Sequence, residues 1–299
     1  MRGRVLRVSG QNCLVELEGM SVRCKMRGRL KGGRRESNSP VITGDWVDLE
    51  QDGPDQYVIN GVEDRLSHFT RASSSSRPYE QIIAVNIQQL IIISSARNPS
   101  FRAGFIDRAI VSALWGELVP VIVINKIDLG LEKEVVAAMG VYEHLGYQVL
   151  QTSAANGEGI SDLEALLKGT DSAIMGHSGV GKSTLLNAID PRLALRTQEI
   201  MHQHDRGRHT TTAVQLYPLK GGGYVADTPG IKELHLYGIQ RSEVAAYFDD
   251  LRPHIDQCRF RDCSHLNEPD CRVRTAVDEG QIAQKRYESY ARIMESLSV

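Results

Sequence analysis

The chain has 299 residues, of which 41% are hydrophobic and 24% charged, and its formal net charge is −2. That length and balance suit two or three packed domains and exclude a disordered, collagenous or bulk polycationic chain. Its longest apolar runs, such as "LIIIS", fall far short of the roughly 20 residues that a membrane helix needs, and "MRGRVLRVSG" lacks the apolar block of a signal peptide, so a cytoplasmic protein with no membrane contact is expected.

Residues 1–68 alternate apolar and polar positions in "RVLRV", "NCLVELEG", "VRCKMRG", "DWVDLEQ" and "QYVING", separated by Gly, Asn and Asp turns. Five short strands of this kind predict a small β-barrel, and an OB-fold fits best. Ten of the first 35 residues are basic (Arg2, Arg4, Arg7, Arg23, Lys25, Arg27, Arg29, Lys31, Arg34, Arg35) against Glu16 and Glu18. The barrel is therefore a candidate RNA platform, a solvated basic face being the alternative; with few aromatics (Trp46, Tyr57), binding would lean on charge and shape. Cys13 and Cys24 lie within the alternating stretches and read as buried small hydrophobes. "RASSSSRPYEQ" follows, and residues 69–80 read as a linker, because serine cannot pack a core and Pro78 disfavours helix before it.

Residues 81–238 alternate the unbroken apolar runs of a buried parallel sheet with helical segments, which predicts an α/β domain: "QLIIIS", "VPVIVIN", "YQVLQTS", "DSAIMG", "TAVQLYPL", "GGYVADTPG". Residues 239–299 are expected to form a mainly helical C-terminal domain. Within it "SEVAAYFDDLRPHI" places Val244, Phe248, Leu251 and Ile255 on one helical face, and a last helix carries Tyr290, Ile293 and Leu297 on one side.

Gly176, His177, Ser178, Gly179, Val180, Gly181, Lys182 and Ser183, with Thr184 after them, fit G-x-x-x-x-G-K-[ST] between a strand and a helix. Glycines let backbone N–H groups turn onto a β-phosphate, Lys182 reaches the β/γ oxygens, and the Ser183 hydroxyl faces Mg²⁺. Asp227-Thr228-Pro229-Gly230 follows a strand, so Asp227 can hold Mg²⁺ through water while the Gly230 N–H points to the γ-phosphate. Asn125-Lys126-Ile127-Asp128 reads as a guanine clamp. The Asp128 carboxylate accepts from guanine N1–H and N2–H₂, a pattern adenine cannot reproduce, and leaving that buried carboxylate unpaired rejects ATP. Thr152-Ser153-Ala154 supplies an Ala154 N–H suited to guanine O6.

In a Ras-like domain the phosphate loop comes first and N-K-x-D and S-A follow; here both precede it. The site is spatial, so this order is a circular permutation. It runs the chain from D-x-x-G directly into the C-terminal domain, which should therefore respond to the GTP state. The position after D-x-x-G, where Ras-type enzymes keep a water-orienting Gln, is Ile231, so intrinsic turnover should be slow. "MHQHDRGRHTTTAV" (201–214) is switch I: Thr211 or Thr212 is a candidate Mg²⁺ ligand, and His209 is a candidate to orient water, to bind RNA phosphate, or to lie in solvent.

Cys258-x4-Cys263-x-His265-x5-Cys271 matches the Cys₃His set of a closed, structural zinc site, with buried free cysteines as the alternative and His254 as a weaker candidate ligand. Together the permuted order, "GHSGVGKSTLLNAI", "RGRHTTT", "DTPGI" and the cysteine knot behind a barrel resemble the RsgA (YjeQ/YloQ) family of circularly permuted GTPases, over nearly the whole chain. The resemblance implies an OB-fold, a permuted GTPase domain and a zinc-binding C-terminal domain. It also implies late maturation of the bacterial small ribosomal subunit, hydrolysis stimulated by that subunit, and a catalytic proposal for His209. A monomer is expected. Competing readings are a GTP-regulated binding switch with negligible catalysis, a GTPase acting on a membrane or protein target, and an enzyme using GTP as phosphoryl donor.

Overall fold

The computed structural model describes residues 1–28, 30, 39–54, 56–72, 80–195, 214–227 and 234–297. The five expected N-terminal strands form: β1 (Arg2–Ser9), β2 (Asn12–Leu17), β3 (Met20–Met26), β4 (Trp46–Gln51) and β5 (Tyr57–Val62). They pair in the order β1-β2-β3-β5-β4, and β4 returns to β1, closing the barrel that the OB-fold reading requires. Strict alternation sends Cys13, Val15 and Leu17 of β2 inward against Val5, Cys24, Val47, Leu49 and Ile59. Burial pushes the thiols of Cys13 and Cys24 up to about 12 and about 11, so these cross-strand neighbours act as packing groups.

β1 carries a bulge between Val5 and Arg7. The extra residue, Leu6, faces away from the barrel and is buried in the main core of the next domain. Past the bulge Arg7 pairs with Gln215 of β12 (Gln215–Pro218), so barrel and α/β domain share one eleven-stranded sheet. Side chains reinforce the joint: the buried Arg4 guanidinium reaches Asp171 at 2.9 Å and Asn86 O at 2.8 Å, and Thr43 Oγ1 donates to Val214 O at 3.2 Å.

Residues 69–72, expected within the linker, are strand. His68–Ala72 forms β6 and pairs antiparallel with β7 (Glu80–Val85), with Phe69 wholly buried; only 73–79, outside the described residues, separates them. Phe69 and Thr70 supply the apolar and β-branched side chains that a strand packs and a linker lacks.

The α/β sheet runs β10 (Gln148–Gln151), β9 (Val119–Asn125), β8 (Gln89–Ser95), β11 (Ser172–Met175), β13 (Tyr224–Asp227), β12. All but β12 are parallel; β12 is antiparallel to β13, against the all-parallel expectation. The short 219–223 connection decides this, because it can close a hairpin but cannot span a crossover. Helices α1 (Ala103–Trp115), α2 (Lys133–His144), α3 (Ile160–Leu167) and α4 (Lys182–Ile189) cover the two faces. Ile91 and Ile93 face the α3/α4 side, whereas Leu90 and Ile92 face α1.

That α1 face continues without a break into the C-terminal domain, where Val244, Phe248, Leu251, Tyr290 and Ile293 are all buried. The apolar face expected at 242–255 exists, yet its backbone is two 3-10 stretches, Arg241–Tyr247 and Arg252–Gln257. Phe248 is extended between them, and Pro253 has no N–H to continue an α-helical ladder. Helices α5 (Arg272–Asp278) and α6 (Gln284–Ser296) complete the chain. Among the described residues no helix is long and apolar enough to cross a membrane.

Candidate functional site

Parallel pairing gathers the C-terminal ends of β8, β9, β10, β11 and β13 at one edge, where open α/β sheets bind ligands. Asn125 ends β9, Thr152 to Ala154 follow β10, Gly176 follows β11, and Asp227 ends β13. The motifs that stand in reverse order along the chain are thus neighbours in space.

The phosphate loop arches from Gly176 to α4. At Gly176 a Cβ would stand 2.4 Å from Ile93 O, so only glycine lets the loop leave β11 this close to β8. Gly181 has φ +97°, and a Cβ there would meet Asn125 Nδ2 at 2.4 Å. The Lys182 ammonium donates to Gly176 O at 2.7 Å and His177 O at 3.0 Å, which holds it within the arch. Burial lowers the Lys182 pKa against the raising pull of Asp227, and burial raises Asp227 against the charge of Lys182. The pair is a cation and a carboxyl partly stripped of water, whose electrostatic reach toward phosphate and metal is correspondingly larger. Ser183 is half-buried in the first turn of α4, Ser178 and Thr184 are exposed, and the His177 ring packs on Phe105 of α1.

Asn125 is a hub. Its side chain is buried, and Nδ2 donates to Val180 O at 2.8 Å while Oδ1 accepts from Thr152 Oγ1 at 3.2 Å and from the Ala154 N–H at 3.3 Å. One amide therefore ties N-K-x-D, S-A and the phosphate loop together. The Ala154 N–H, expected on guanine O6, is directed at Asn125. The Asp128 carboxylate, expected to be buried, is exposed, because it sits on a 3-10 turn (Ile127–Leu129) beyond the sheet edge. Ser153 Oγ donates to its Oδ1 at 2.5 Å, fixing the carboxylate plane. Lys126 occupies the left-handed region (φ 62°) and its ammonium donates to Asn98 O. His209, Thr211, Thr212, Gly230 and Ile231 lie outside the described residues.

The second site is the cysteine cluster. One ligand atom from each of Cys258, Cys263, His265 and Cys271 lies within 4.8 Å of all the others, a set that can hold a metal ion. His265 offers Nδ1, 3.4 Å from Cys258 Sγ and 3.6 Å from Cys271 Sγ; the two sulfurs are 3.9 Å apart. A tetrahedral zinc ion with bonds near 2.3 Å to sulfur and 2.0–2.1 Å to nitrogen would have edges of about 3.8 and 3.6 Å, close to these three distances. His254 is not part of it.

Sequence motifs missed what holds this loop. The Glu268 carboxylate accepts from Ser264 N at 2.8 Å and from Leu266 N and Asn267 N at 3.2 Å. The hydroxyls of Tyr287 and Tyr290 on α6 donate to His265 O at 2.8 Å and Ser264 O at 2.7 Å. Burial pushes the Glu268 carboxyl up, but the Ser264 and Asn267 hydrogen bonds outweigh it and hold it at about 2. Its contribution is therefore present above the ordinary carboxylate range and lost as pH falls toward about 2. Glu268→Ala is expected to weaken metal retention roughly 10- to 100-fold in chelator competition at neutral pH; unchanged retention would mean that the tyrosines alone suffice.

Also missing from the sequence reading is a buried charge cluster between α1 and the C-terminal domain. Arg286 of α6 reaches Asp107 of α1 at 2.6 Å and Asp250 at 3.0 Å, and the Tyr142 hydroxyl donates to Asp107 at 2.8 Å. A charged residue in an amphipathic helix normally reads as its wet face, and only tertiary contact shows otherwise.

A phosphate loop, N-K-x-D and S-A assembled on one sheet edge from a rotated chain order define a circularly permuted P-loop GTPase. The model of the RsgA GTPase family matches residues 62–237. The small ribosomal subunit biogenesis GTPase RsgA of Chlorobaculum tepidum is 39% identical over 100% of this chain and 98% of its own length, and the Bacteroides fragilis protein of the same name is 36% identical over 99% and 96%. The crystal structure of YjeQ from Thermotoga maritima superposes with TM-score 0.78 at 35% identity, covering 99% of this chain and 98% of that one. The structure of YloQ, described as a circularly permuted GTPase, gives 0.71 at 28% identity, covering 99% and 94%. The chain belongs to the RsgA GTPase family.

Proposed function

We propose that this protein hydrolyses GTP in the late maturation of the small ribosomal subunit, binding the subunit through rRNA and being stimulated by it. The observation that carries the reading is the Asn125 hub, which assembles phosphate loop, N-K-x-D and S-A into one nucleotide site in a chain matched over its full length by small-subunit biogenesis GTPases. In this reading Asp128 pairs with guanine. Gly176 to Thr184 wrap the phosphates, and Ser183, Asp227 through water, and Thr211 or Thr212 hold Mg²⁺, an oxygen set suited to a hard cation. His209 orients the attacking water.

The Cys258, Cys263, His265, Cys271 cluster holds one zinc ion, a reading supported by the Cys258–Cys271 sulfur separation of 3.9 Å and by the four ligand atoms gathering within 4.8 Å. With all four positions taken by protein, the ion supports folding and performs no chemistry. The basic barrel supplies rRNA phosphate contacts, and the protein works as a cytoplasmic monomer.

Steady-state GTP hydrolysis with and without small subunits tests the proposal, with large subunits as control. A large rise with small subunits alone is the expected result. Tight GTP-dependent subunit binding without any rise would favour the second reading, a GTP-regulated binding switch, to which the Ile231 position lends support.

A further inference from the structure

Three contacts among the described residues help hold the phosphate loop. Gly176 abuts Ile93 O, the Val180 carbonyl accepts from Asn125, and the His177 ring lies on the Phe105 ring, with centroids 4.1 Å apart and planes tilted by 39°. The first two belong to motifs that define the nucleotide site. The third does not: position 177 is an unspecified x of the loop pattern, and Phe105 sits in the first turn of α1, outside every motif.

The contact bears on chemistry because of where it acts. The His177 carbonyl, together with that of Gly176, accepts from the Lys182 ammonium, so the orientation of residue 177 sets the position of the cation that meets the β/γ-phosphates. α1 is a firm base for such a contact. It is buried along most of its length, and Asp107, half a turn beyond Phe105, is clamped by Arg286 and Tyr142. A ring fixed on α1 and stacked on a loop ring limits that loop's freedom at little entropic cost, because both side chains have only two rotatable bonds.

We propose that Phe105 is a positioning residue for the phosphate loop, acting through its stack on His177 to hold Lys182 and the first half of the loop in the shape that receives phosphate. The proposal rests on the reading of this loop as the guanine-nucleotide site.

The test is a double-mutant cycle on the full chain, read as the dissociation constant of fluorescent GDP and as KM and kcat for GTP. Wild type is first checked for binding GDP over ADP. Should another nucleotide bind instead, the guanine reading fails and the cycle is run with that nucleotide; no nucleotide binding at all would overturn both. His177→Ala and Phe105→Ala are each expected to weaken binding about 3- to 10-fold, the range an aromatic pair supplies, and the double variant no more than the weaker single. The loss should fall on KM more than on kcat. His177→Phe and Phe105→Tyr, which keep a ring on each side, should restore binding to within about twofold; this rescue holds the test open if Phe105→Ala folds poorly. Additive losses, unchanged binding in His177→Ala, or a His177→Phe as weak as His177→Ala would overturn the proposal, the last showing that a polar contact of the imidazole is what matters.

Discussion

Arg286→Met is expected to lower the unfolding free energy by roughly 3–5 kcal/mol, the cost of leaving buried charge without its partner. The guanidinium is 4% exposed, donates to Asp107 at 2.6 Å, grips Asp250 through Nε and Nη2 at 3.1 and 3.0 Å, and lies 4.6 Å from the centre of the Phe248 ring. Methionine fills much of the same volume but strands two carboxylates in an apolar seam between α1 and the C-terminal domain. Among the described residues no other cation pairs with Asp107 or Asp250, and Tyr142 offers a hydroxyl already committed to Asp107. Urea denaturation followed by tryptophan fluorescence measures the loss, since Trp115 lies on α1. Removing both acids along with Arg286, by leucine or asparagine, should recover most of it, because an apolar seam of similar volume is nearly neutral. A midpoint unmoved by Arg286→Met would show that the C-terminal domain is seated by its apolar face alone.

Asn125→Ala is expected to weaken guanine-nucleotide binding by roughly 30- to 1,000-fold, or about 2–4 kcal/mol, because the buried Val180 O and the half-buried Ala154 N–H lose their partner. Asn125→Asp is the sharper variant: its carboxylate still accepts from Ala154, yet it cannot donate to Val180 and places an acceptor against an acceptor. It should therefore bind no better than Asn125→Ala. Equilibrium titration with fluorescent GDP checks both, and affinity within threefold of wild type in Asn125→Ala would remove the amide as organiser of the site.

How much was legible in sequence follows from what kind of interaction fixed each part. The barrel strands were readable because a closed sheet imposes period-two burial, visible in Cys13, Val15 and Leu17. The phosphate loop and N-K-x-D were readable because a phosphate and a purine demand particular groups at particular spacings. Sequence placed Asn125 in the guanine clamp but did not show that its side chain is also a three-way tie, a role visible only once β9, β10 and β11 are side by side. Asp128 was expected buried and is exposed, because a motif names a residue without giving its depth. The four metal-ligand candidates were found by residue type, while Glu268 and the two tyrosines that hold their loop were not, since hydrogen bonds to backbone leave no pattern. Periodicity at 242–255 found the right buried side chains and the wrong backbone, because 3-10 and α-helical turns present nearly the same face over two turns.

The single sheet that runs from β10 to β4 relates the phosphate loop to the barrel by a count of strands. From the strand that launches the phosphate loop, β11, to the basic strand β3 there are five strand spacings (β13, β12, β1, β2, β3), or about 24 Å along the curved sheet at roughly 4.8 Å each. Arg23 and Lys25 stand exposed at the far end of that span. Hydrogen-bonded ladders stretch little, so the separation between the phosphate loop and the far rim of the barrel is set by strand count. Any partner that contacted both at once would meet them at that spacing.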